Sequence, residues 1–159
     1  MEVAFLHVVL YRPLIPQNTG NIARTCAVTG SKLHLIEELG FSLDEKKLKR
    51  AGLDYWHLLD IEIHRSFEAF LEKYGDKNLF LVTKFAKTNY SENTYTNDCF
   101  FMFGQETKGL PQEIMDRYPD RQIRIPMMDT PYARSINLST SVGIVLYEGL
   151  RQIGFESLV

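Results

Sequence analysis

Short apolar runs alternate with amphipathic segments along the whole chain. The apolar runs predict buried strands at residues 3–11, 33–36, 61–64, 79–83, 99–103 and 122–125. Apolar residues at helical spacing predict the helices between them, at residues 22–29, 42–50, 66–74, 111–118 and 137–153. Strands that alternate with helices in this way are typical of an α/β domain with a mostly parallel sheet and helices on both faces.

Capping residues predict several helix boundaries. Ser42 and Glu45 form a capping box, and Ser66 is a helix-capping residue of the same kind. Gly30 and Gly75 follow helical patterns at the position where a left-handed residue commonly ends a helix.

Length and composition fit one globular domain that covers residues 1–159. The chain has 159 residues, of which 45% are hydrophobic and 24% charged, and this composition excludes a disordered chain. No apolar run is long enough to span a bilayer, and the N-terminal residues lack the basic segment of a signal peptide. We therefore expect a cytoplasmic protein without a membrane partner. Cys26 and Cys99 lie among apolar neighbours, so both thiols are expected to be buried and reduced.

The charges are unevenly placed along the chain. A net charge of −2 argues weakly against a nucleic-acid-binding protein. Lys46, Lys47, Lys49 and Arg50, however, put four cations within five residues, either as an RNA-contacting face or as an ordinary solvated helix face. The four histidines have no cysteine partners at zinc-like spacing, so no metal site is expected.

Polar loops follow three of the predicted strands. Ligands of parallel sheets bind at the edge where the carboxyl ends of the strands meet, which is where these loops begin. The loops cover residues 12–21, 104–110 and 126–135. Nucleotide motifs of other families are missing from the sequence: no two glycines form G-x-G, and Leu110 and Pro111 stand where a P-loop needs Lys and Ser or Thr. No G-x-S-x-G segment marks a hydrolase nucleophile. A dehydrogenase, a kinase and a serine hydrolase are therefore disfavoured.

The first loop carries the motif Asn18-Thr19-Gly20-Asn21-Ile22-Ala23-Arg24. Gly20 permits a tight turn, and Asn21 can cap the helix that follows, whose N-terminus favours an anion. Arg24 lies one turn further and can reach the same side. Taken alone, the motif favours an N-cap followed by a surface arginine.

The second motif is Phe103-Gly104-Gln105-Glu106-Thr107-Lys108-Gly109-Leu110-Pro111. The third is Ile125-Pro126-Met127-Met128 followed by Arg134-Ser135-Ile136-Asn137-Leu138-Ser139. Two glycines in the second motif allow a ligand to approach the backbone closely, and Glu106 between them can bond a backbone group or an amine. Pro111 suits the first turn of a helix. The polar residues of the third motif can cap the final helix, and capping alone would also explain them.

Together and in this order, the three motifs resemble those of the SPOUT superfamily of RNA methyltransferases. Within it, the chain is similar over its whole length to the small wobble-nucleotide tRNA 2′-O-methyltransferases of the TrmL/YibK type, which share the segment Arg50-Ala51-Gly52-Leu53-Asp54-Tyr55. The resemblance implies S-adenosylmethionine as the cofactor and a trefoil knot in the C-terminal part of the chain. It also implies methyl transfer to the 2′-hydroxyl of the wobble cytidine or modified uridine in leucine-type tRNA anticodon loops.

The same resemblance assigns site residues by motif. It implies cofactor-binding residues at Val82, Gly104, Ile125, Ser135 and Leu138. It also implies a catalytic set of Arg24, Asn21 and Ser135, in which the last two orient the ribose or Arg24. Substrate contacts are expected from Asn18, Arg24, Asn137, Lys46, Lys47 and Arg50, with Tyr55 and Trp56 as further candidates.

Arg24 could act as a base or as a cation that stabilises charge. Removing a guanidinium proton at pH 7 costs about 9 kcal/mol, so we favour binding of a substrate phosphate and stabilisation of the developing alkoxide. The sequence does not separate these roles. Gly143, inside the final helix, is expected to permit close packing.

The final helix is apolar on more than one side, which predicts a homodimer with a shared active site. One apolar stripe contains Leu138, Val142, Val145, Leu146 and Ile153, and Ile144, Tyr147 and Leu150 extend it. Three other functions remain open: an inactive RNA-binding module of the same fold, 2′-O-methylation of another tRNA or rRNA site, and a small-molecule enzyme that binds a different nucleotide.

Overall fold

Residues 6–42, 59–132 and 135–159 are described by the computed structural model. In this part of the chain six strands form one sheet: β1 (His7–Tyr11), β2 (Lys32–Ile36), β3 (Ile61–His64), β4 (Leu79–Val82), β5 (Phe100–Phe103) and β6 (Gln122–Ile123). Their order is β3-β2-β1-β5-β4-β6, and every neighbouring pair is parallel. The predicted α/β class with a parallel sheet is confirmed.

Helices cover both faces of the sheet, as expected. They are α1 (Pro16–Thr29), α2 (Phe67–Tyr74), α3 (Gln112–Arg117) and α4 (Leu138–Gln152). Successive strand residues point to opposite faces, so Val8 packs with α1 and α4 while Val9 packs with α2 and α3, and both are fully buried. None of the helices in the described residues has both the length and the apolar character needed to cross a bilayer.

Several predicted boundaries are confirmed by the cap geometry. The Ser66 hydroxyl accepts the Ala69 N–H at 3.0 Å, and Gly75 ends α2 with a φ of 71°. Asn137 caps α4 by accepting the backbone N–H groups of Ser139 and Thr140 at 2.9 and 3.3 Å. The helix predicted from Ser42 to Arg50 falls largely on residues 43–58, which lie outside the described part of the chain.

Helix α1 begins earlier than the sequence pattern predicts. Its first residue is Pro16, whose fixed φ and missing N–H suit the first helical turn. Asn21, expected to cap the helix, lies inside it, and Gly20 is buried within its second turn. The expectation was wrong because the polar run at residues 17–21 hides the helical periodicity.

Two expectations about α4 were also wrong. A Cβ atom at Gly143 would meet nothing within 4 Å, whereas one at Gly149 would lie 2.7 Å from the Leu6 Cδ1 atom. Gly149 is therefore the residue that allows close packing of α4 on the sheet. Leu150, placed outside the core stripe by the sequence analysis, is only 3% exposed and belongs to the core.

Both cysteines are buried and free, as expected, at 2% exposure each. Burial raises the pKa of the Cys26 thiol to about 12. A thiol with this pKa is almost wholly protonated at neutral pH, which argues against Cys26 as a nucleophile.

Candidate functional site

A cavity of about 460 Å³ opens beyond the carboxyl ends of β4, β5 and β6. Its apolar walls come from strand ends and the residues that follow them, namely Val82, Phe103, Leu110, Ile125, Ile136 and Leu138. Its polar rim includes Thr83, Gln105, Ser135, Asn137 and Ser141. The three polar loops of the sequence analysis thus meet at one edge of the sheet, as predicted.

All five residues implied as cofactor-binding line this cavity. They are Val82, Gly104, Ile125, Ser135 and Leu138. They come from the end of β4, the segments that follow β5 and β6, and the start of α4. The parallel sheet brings these segments together because its strand ends share one edge. Whether they bind a cofactor stays a prediction.

The Glu106 carboxylate connects the second motif to the first. Its Oε1 atom accepts the Leu14 N–H at 2.9 Å, and its Oε2 atom accepts the Ile15 N–H at 2.6 Å. The Asn18 amide also donates to Oε2, at 3.4 Å. The expectation that Glu106 bonds a backbone group is confirmed, and its partners include the residue that immediately precedes α1.

Asn18 continues this chain of hydrogen bonds into the third motif. The Asn137 side-chain amide donates to the Asn18 Oδ1 atom at 3.1 Å, while its own oxygen caps α4. Asn18 is 6% exposed, so its amide is held away from solvent. Glu106, Asn18 and Asn137 therefore form one connection, which we call the motif bridge.

Glu106→Gln is expected to weaken the motif bridge. The substitution keeps the side-chain size but sets an NH₂ group against N–H donors, which leaves at least one hydrogen bond unmade. We expect the free energy of unfolding in urea to fall by about 1–3 kcal/mol, the range for a buried donor or acceptor left without its hydrogen bond. Glu72→Gln, on an exposed position of α2, is the control and should change stability by less than about 0.5 kcal/mol. Equal stability of the two variants would contradict this role.

Gly104 has no room for a side chain. A Cβ atom there would lie 2.2 Å from the Gly109 carbonyl carbon and 2.3 Å from the Leu110 nitrogen. The loop folds back on itself at this point, with the Gly109 N–H bonded to the Gln105 carbonyl at 3.0 Å and a φ of 66° at Gly109. The two glycines of the second motif therefore shape one wall of the cavity.

Arg24 and Asn21 do not line the cavity of their own chain among the described residues. With Val28 they form an exposed stripe on α1, whereas Ile15 and Asn18 face the cavity. Arg24 thus shares one side of α1 with Asn21, and that side is not the one that faces the cavity, so the catalytic role of both residues stays a prediction. The predicted substrate contacts Lys46, Lys47 and Arg50, and the candidates Tyr55 and Trp56, lie outside the described residues.

The sequence analysis missed several cavity residues at strand ends. Thr83, Lys84 and Phe85 follow β4 directly and line the cavity. The signal that could have found them is position alone, since every residue that follows a parallel strand is a candidate at this edge.

The model of the SpoU rRNA methylase family matches residues 5–147 of this chain. The chain belongs to this family. The match covers the three motifs and ends in the middle of α4. The family predicted from the sequence is confirmed.

Curated relatives in the SpoU family match almost the full length of the chain. An Escherichia coli protein named tRNA (cytidine(34)-2′-O)-methyltransferase is 46% identical, over 97% of this chain and 98% of its own. A Lactobacillus gasseri protein, provisionally named an RNA (cytidine(34)-2′-O)-methyltransferase, is 53% identical, over 96% of this chain and 83% of its own.

Solved structures share the SpoU fold. A structure described as "Structural insights into the 2-OH methylation of C/U34 on tRNA" is 45% identical, with a TM-score of 0.86 over 94% of this chain and 96% of that chain. An AdoMet-bound rRNA methyltransferase from Sinorhizobium meliloti is 24% identical, with a TM-score of 0.80 over 94% of this chain and 57% of that chain. The similarity to the Sinorhizobium meliloti protein shows a shared fold and nothing more.

Three buried histidines, which we call the histidine ladder, cross the SpoU sheet under α2. The His7 Nδ1 atom lies 2.8 Å from His34 Nε2, and His34 Nδ1 lies 3.0 Å from His64 Nε2. Burial lowers the pKa of His7 to about 4 and that of His34 to about 2, and it also lowers the pKa of His64. Three neutral imidazoles, each with one N–H, can satisfy both hydrogen bonds.

A carboxylate and two ammonium groups border the histidine ladder. Burial raises the pKa of Glu62, but hydrogen bonds from Lys73, Tyr74 and Lys32 outweigh it and hold that pKa at about 2. Ligand atoms of His34, Glu62 and His64 lie within 4.8 Å of one another, a grouping that the sequence spacing did not reveal. The Glu62 carboxylate is engaged by the two lysines, so we interpret the cluster as structural. The absence of a metal stays a prediction.

The histidine ladder predicts acid lability below pH 6.5, and the contribution of His7 is lost between pH 6.5 and 4. In this window the unfolded chain, with histidine pKa values near 6.5, binds protons that the folded chain excludes, so stability falls as the pH falls. Protonation of His7 in the unfolded chain is alone expected to lower the free energy of unfolding by about 2 kcal/mol at pH 5 relative to pH 7.5. Urea unfolding at the two pH values measures this. His7→Gln, whose amide can bond His34 without titrating, should show a smaller loss, and an equal loss would contradict the assignment.

Proposed function

We propose that the chain transfers a methyl group from S-adenosylmethionine to the ribose 2′-hydroxyl of nucleotide 34, a cytidine or uridine, in tRNA. The motif bridge carries this proposal, because it joins the three motifs of the resemblance around one cavity. The names of relatives that are 46% and 53% identical over almost the full chain support the same reaction. We place the activity in the cytoplasm, where tRNA is modified.

The cavity fits S-adenosylmethionine. Its volume of about 460 Å³ lies in the range of small-molecule sites, and its apolar walls leave backbone groups of the glycine loop at the rim. Val82, Ile125 and Leu138 would hold the adenine between apolar side chains. Gly104 and Ser135 would bring backbone groups to the edge of the ligand. The bound cofactor supplies a methyl group on a positively charged sulfur.

The chain itself must orient the ribose and accommodate the negative charge that develops on its oxygen. Ser135 and Asn137, at the rim of the cavity, would hold the ribose hydroxyls. We assign Arg24 to a substrate phosphate and to the developing alkoxide, because a guanidinium gives up its proton only at a cost of about 9 kcal/mol at pH 7. Asn21 lies on the same exposed stripe of α1 and would orient Arg24 or the ribose.

A homodimer would explain how Arg24 can act on the substrate although it does not line the cavity of its own chain. Helices α1 and α4 pack together and leave apolar side chains open, with Val28 64% and Tyr147 46% exposed. We propose that two copies pair through this surface, so that Arg24 serves the cavity of the partner copy. We also propose the C-terminal trefoil knot that the resemblance implies.

Tyr147→Asp tests the dimer. An unpaired carboxylate in a buried interface costs several kcal/mol, so we expect monomers and loss of methylation. Sedimentation at micromolar concentration gives the mass, and Glu148→Gln on the same helix is the control that should stay dimeric. A fully active 18.4 kDa monomer of the unsubstituted chain would refute the shared site.

Methylation of purified tRNA tests the function. With labelled S-adenosylmethionine, nuclease mapping should place the 2′-O-methyl group at nucleotide 34, and an RNA with 2′-deoxyribose at that nucleotide should accept none. Thermal stabilisation by S-adenosylhomocysteine, but not by ATP or NAD, is expected in parallel. RNA binding without transfer would favour the inactive module, and methylation elsewhere would favour another tRNA or rRNA site.

A further inference from the structure

A second depression, of about 860 Å³, adjoins the cavity and lies beyond the ends of β4 and β6. We call it the basic groove and define it by Lys84, Phe85, Lys87, Arg124 and Asp129. It shares Lys84, Phe85 and Met127 with the cavity, so a ligand lying in the groove reaches the cavity mouth. None of the five residues that define the basic groove belongs to the three sequence motifs, although Met127 of the third motif also lines the groove.

The wall of the basic groove is an extension of the sheet. The Thr83 N–H bonds the Ile123 carbonyl at 3.0 Å, and the Arg124 N–H bonds the Thr88 carbonyl at 2.9 Å. Ala86 anchors the loop between them and is 3% exposed. With the backbone held in this way, the side chains of Lys84, Phe85 and Lys87 project outwards from a fixed support.

The charge of the groove is opposite to that of the whole chain. Its lining carries three cations, Lys84, Lys87 and Arg124, and one acid, Asp129, whereas the chain has a net charge of −2. In the described residues no ion pair joins any of these cations to a carboxylate. Their charges are therefore available to an anionic ligand.

Phe85 adds an aromatic surface to these charges. Its ring is 68% exposed, and the Lys84 ammonium lies 5.4 Å from the ring centre. An exposed ring beside lysine and arginine side chains is the combination that binds unpaired nucleotides, since bases stack on the ring while phosphates meet the cations.

We propose that the basic groove binds the unpaired nucleotides next to the methylated one, with Phe85 stacked on a base and Lys84, Lys87 and Arg124 at phosphates. This inference rests on the proposed function and adds a substrate site to it. Nucleotides held in the groove would fix the position of the target ribose at the cavity mouth, which is where the transfer requires it.

Binding of an anticodon stem-loop RNA by the full-length protein tests the groove. The double variant Lys87→Ala, Arg124→Ala should raise the Kd about tenfold or more. It should also lower the slope of log Kd against log salt concentration by about one to two, about one for each lost phosphate contact. Phe85→Ala should raise the Kd about tenfold with an unchanged salt dependence. Lys77→Ala, an exposed lysine before β4 at the opposite end of the sheet, is the control and should bind RNA normally.

Binding of S-adenosylhomocysteine separates the possible outcomes. It should be unchanged in the variant that combines Lys87→Ala with Arg124→Ala, because neither residue lines the cofactor cavity, and loss of it there would overturn the proposal by assigning the groove to the cofactor. If the unsubstituted chain methylates nucleotide 34 and the groove variants bind RNA equally well, the groove proposal alone fails. If the unsubstituted chain neither binds nor methylates tRNA, the proposed function fails together with the groove.

Discussion

Arg24→Ala is expected to lower the rate of methyl transfer by about 10²–10³-fold, the usual effect of removing one group that stabilises an oxyanion. Affinity for S-adenosylhomocysteine should stay within about twofold of the unsubstituted chain, because Arg24 is assigned to the phosphate and the developing alkoxide of the substrate and does not line the cavity of its own chain. Titration calorimetry and single-turnover methylation measure the two quantities. Arg65→Ala, at another exposed arginine, is the control.

Arg24→Lys distinguishes the two roles of this residue. Lysine keeps the positive charge but loses the planar fork that holds a phosphate at two points, so activity should fall well below that of the unsubstituted chain. If Arg24 were a base, lysine would serve at least as well, because its pKa is lower than that of arginine. Loss of cofactor affinity in Arg24→Ala would contradict both roles and place Arg24 in the cofactor site.

Gly104→Ala is expected to abolish cofactor binding. The added Cβ atom would lie 2.2 and 2.3 Å from backbone atoms of Gly109 and Leu110, so the loop must open and the cavity wall must move. The unsubstituted chain should gain about 2.7 kcal/mol of stability at a ligand concentration of 100 times the Kd, and Gly104→Ala should gain none. Denaturant unfolding with and without S-adenosylhomocysteine provides the measurement.

Gly143→Ala is the matched control for Gly104→Ala. A Cβ atom at this helical position meets nothing within 4 Å, so cofactor binding should persist. Alanine is also the better helix former, by about 1 kcal/mol. Cofactor binding by Gly104→Ala at normal affinity would show that the glycine loop does not shape the site.

Much of the fold could be predicted because local signals agreed with the final structure. β3 was predicted at its observed bounds, and Ser66 and Asn137 cap the helices that their positions indicated. The start of α1 could not be predicted from periodicity, because the polar face of its first turns meets Glu106 and Asn137 instead of the apolar core. These polar residues fit a helix because tertiary hydrogen bonds with Glu106 and Asn137 satisfy the Asn18 side chain.

Residues of the candidate site could be predicted where they belong to a motif. They could not be predicted where only the tertiary fold brings them together. Gly104 and Ser135 belong to motifs that resemble a known pattern, and both line the cavity, although their part in cofactor binding stays a prediction. The direction of Arg24 depends on the helical phase of α1, which follows from where that helix begins. The histidine ladder joins residues 27 and 30 positions apart, and only the strand order β3-β2-β1 brings their rings into contact.

The motif bridge also determines when the cavity can be completed while the chain is being synthesised. Asn18 and Asn137 are separated by 119 residues, and at about 5–20 residues per second the ribosome needs about 6–24 s to cover that distance. Throughout this interval the residues that precede α1 have been made, but the capping residue of α4 has not. A nascent or prematurely ended chain can pair β1 with β2, yet it lacks the last wall of the cavity. We therefore expect the cavity to be completed in one late step, and incomplete chains should not bind the proposed cofactor.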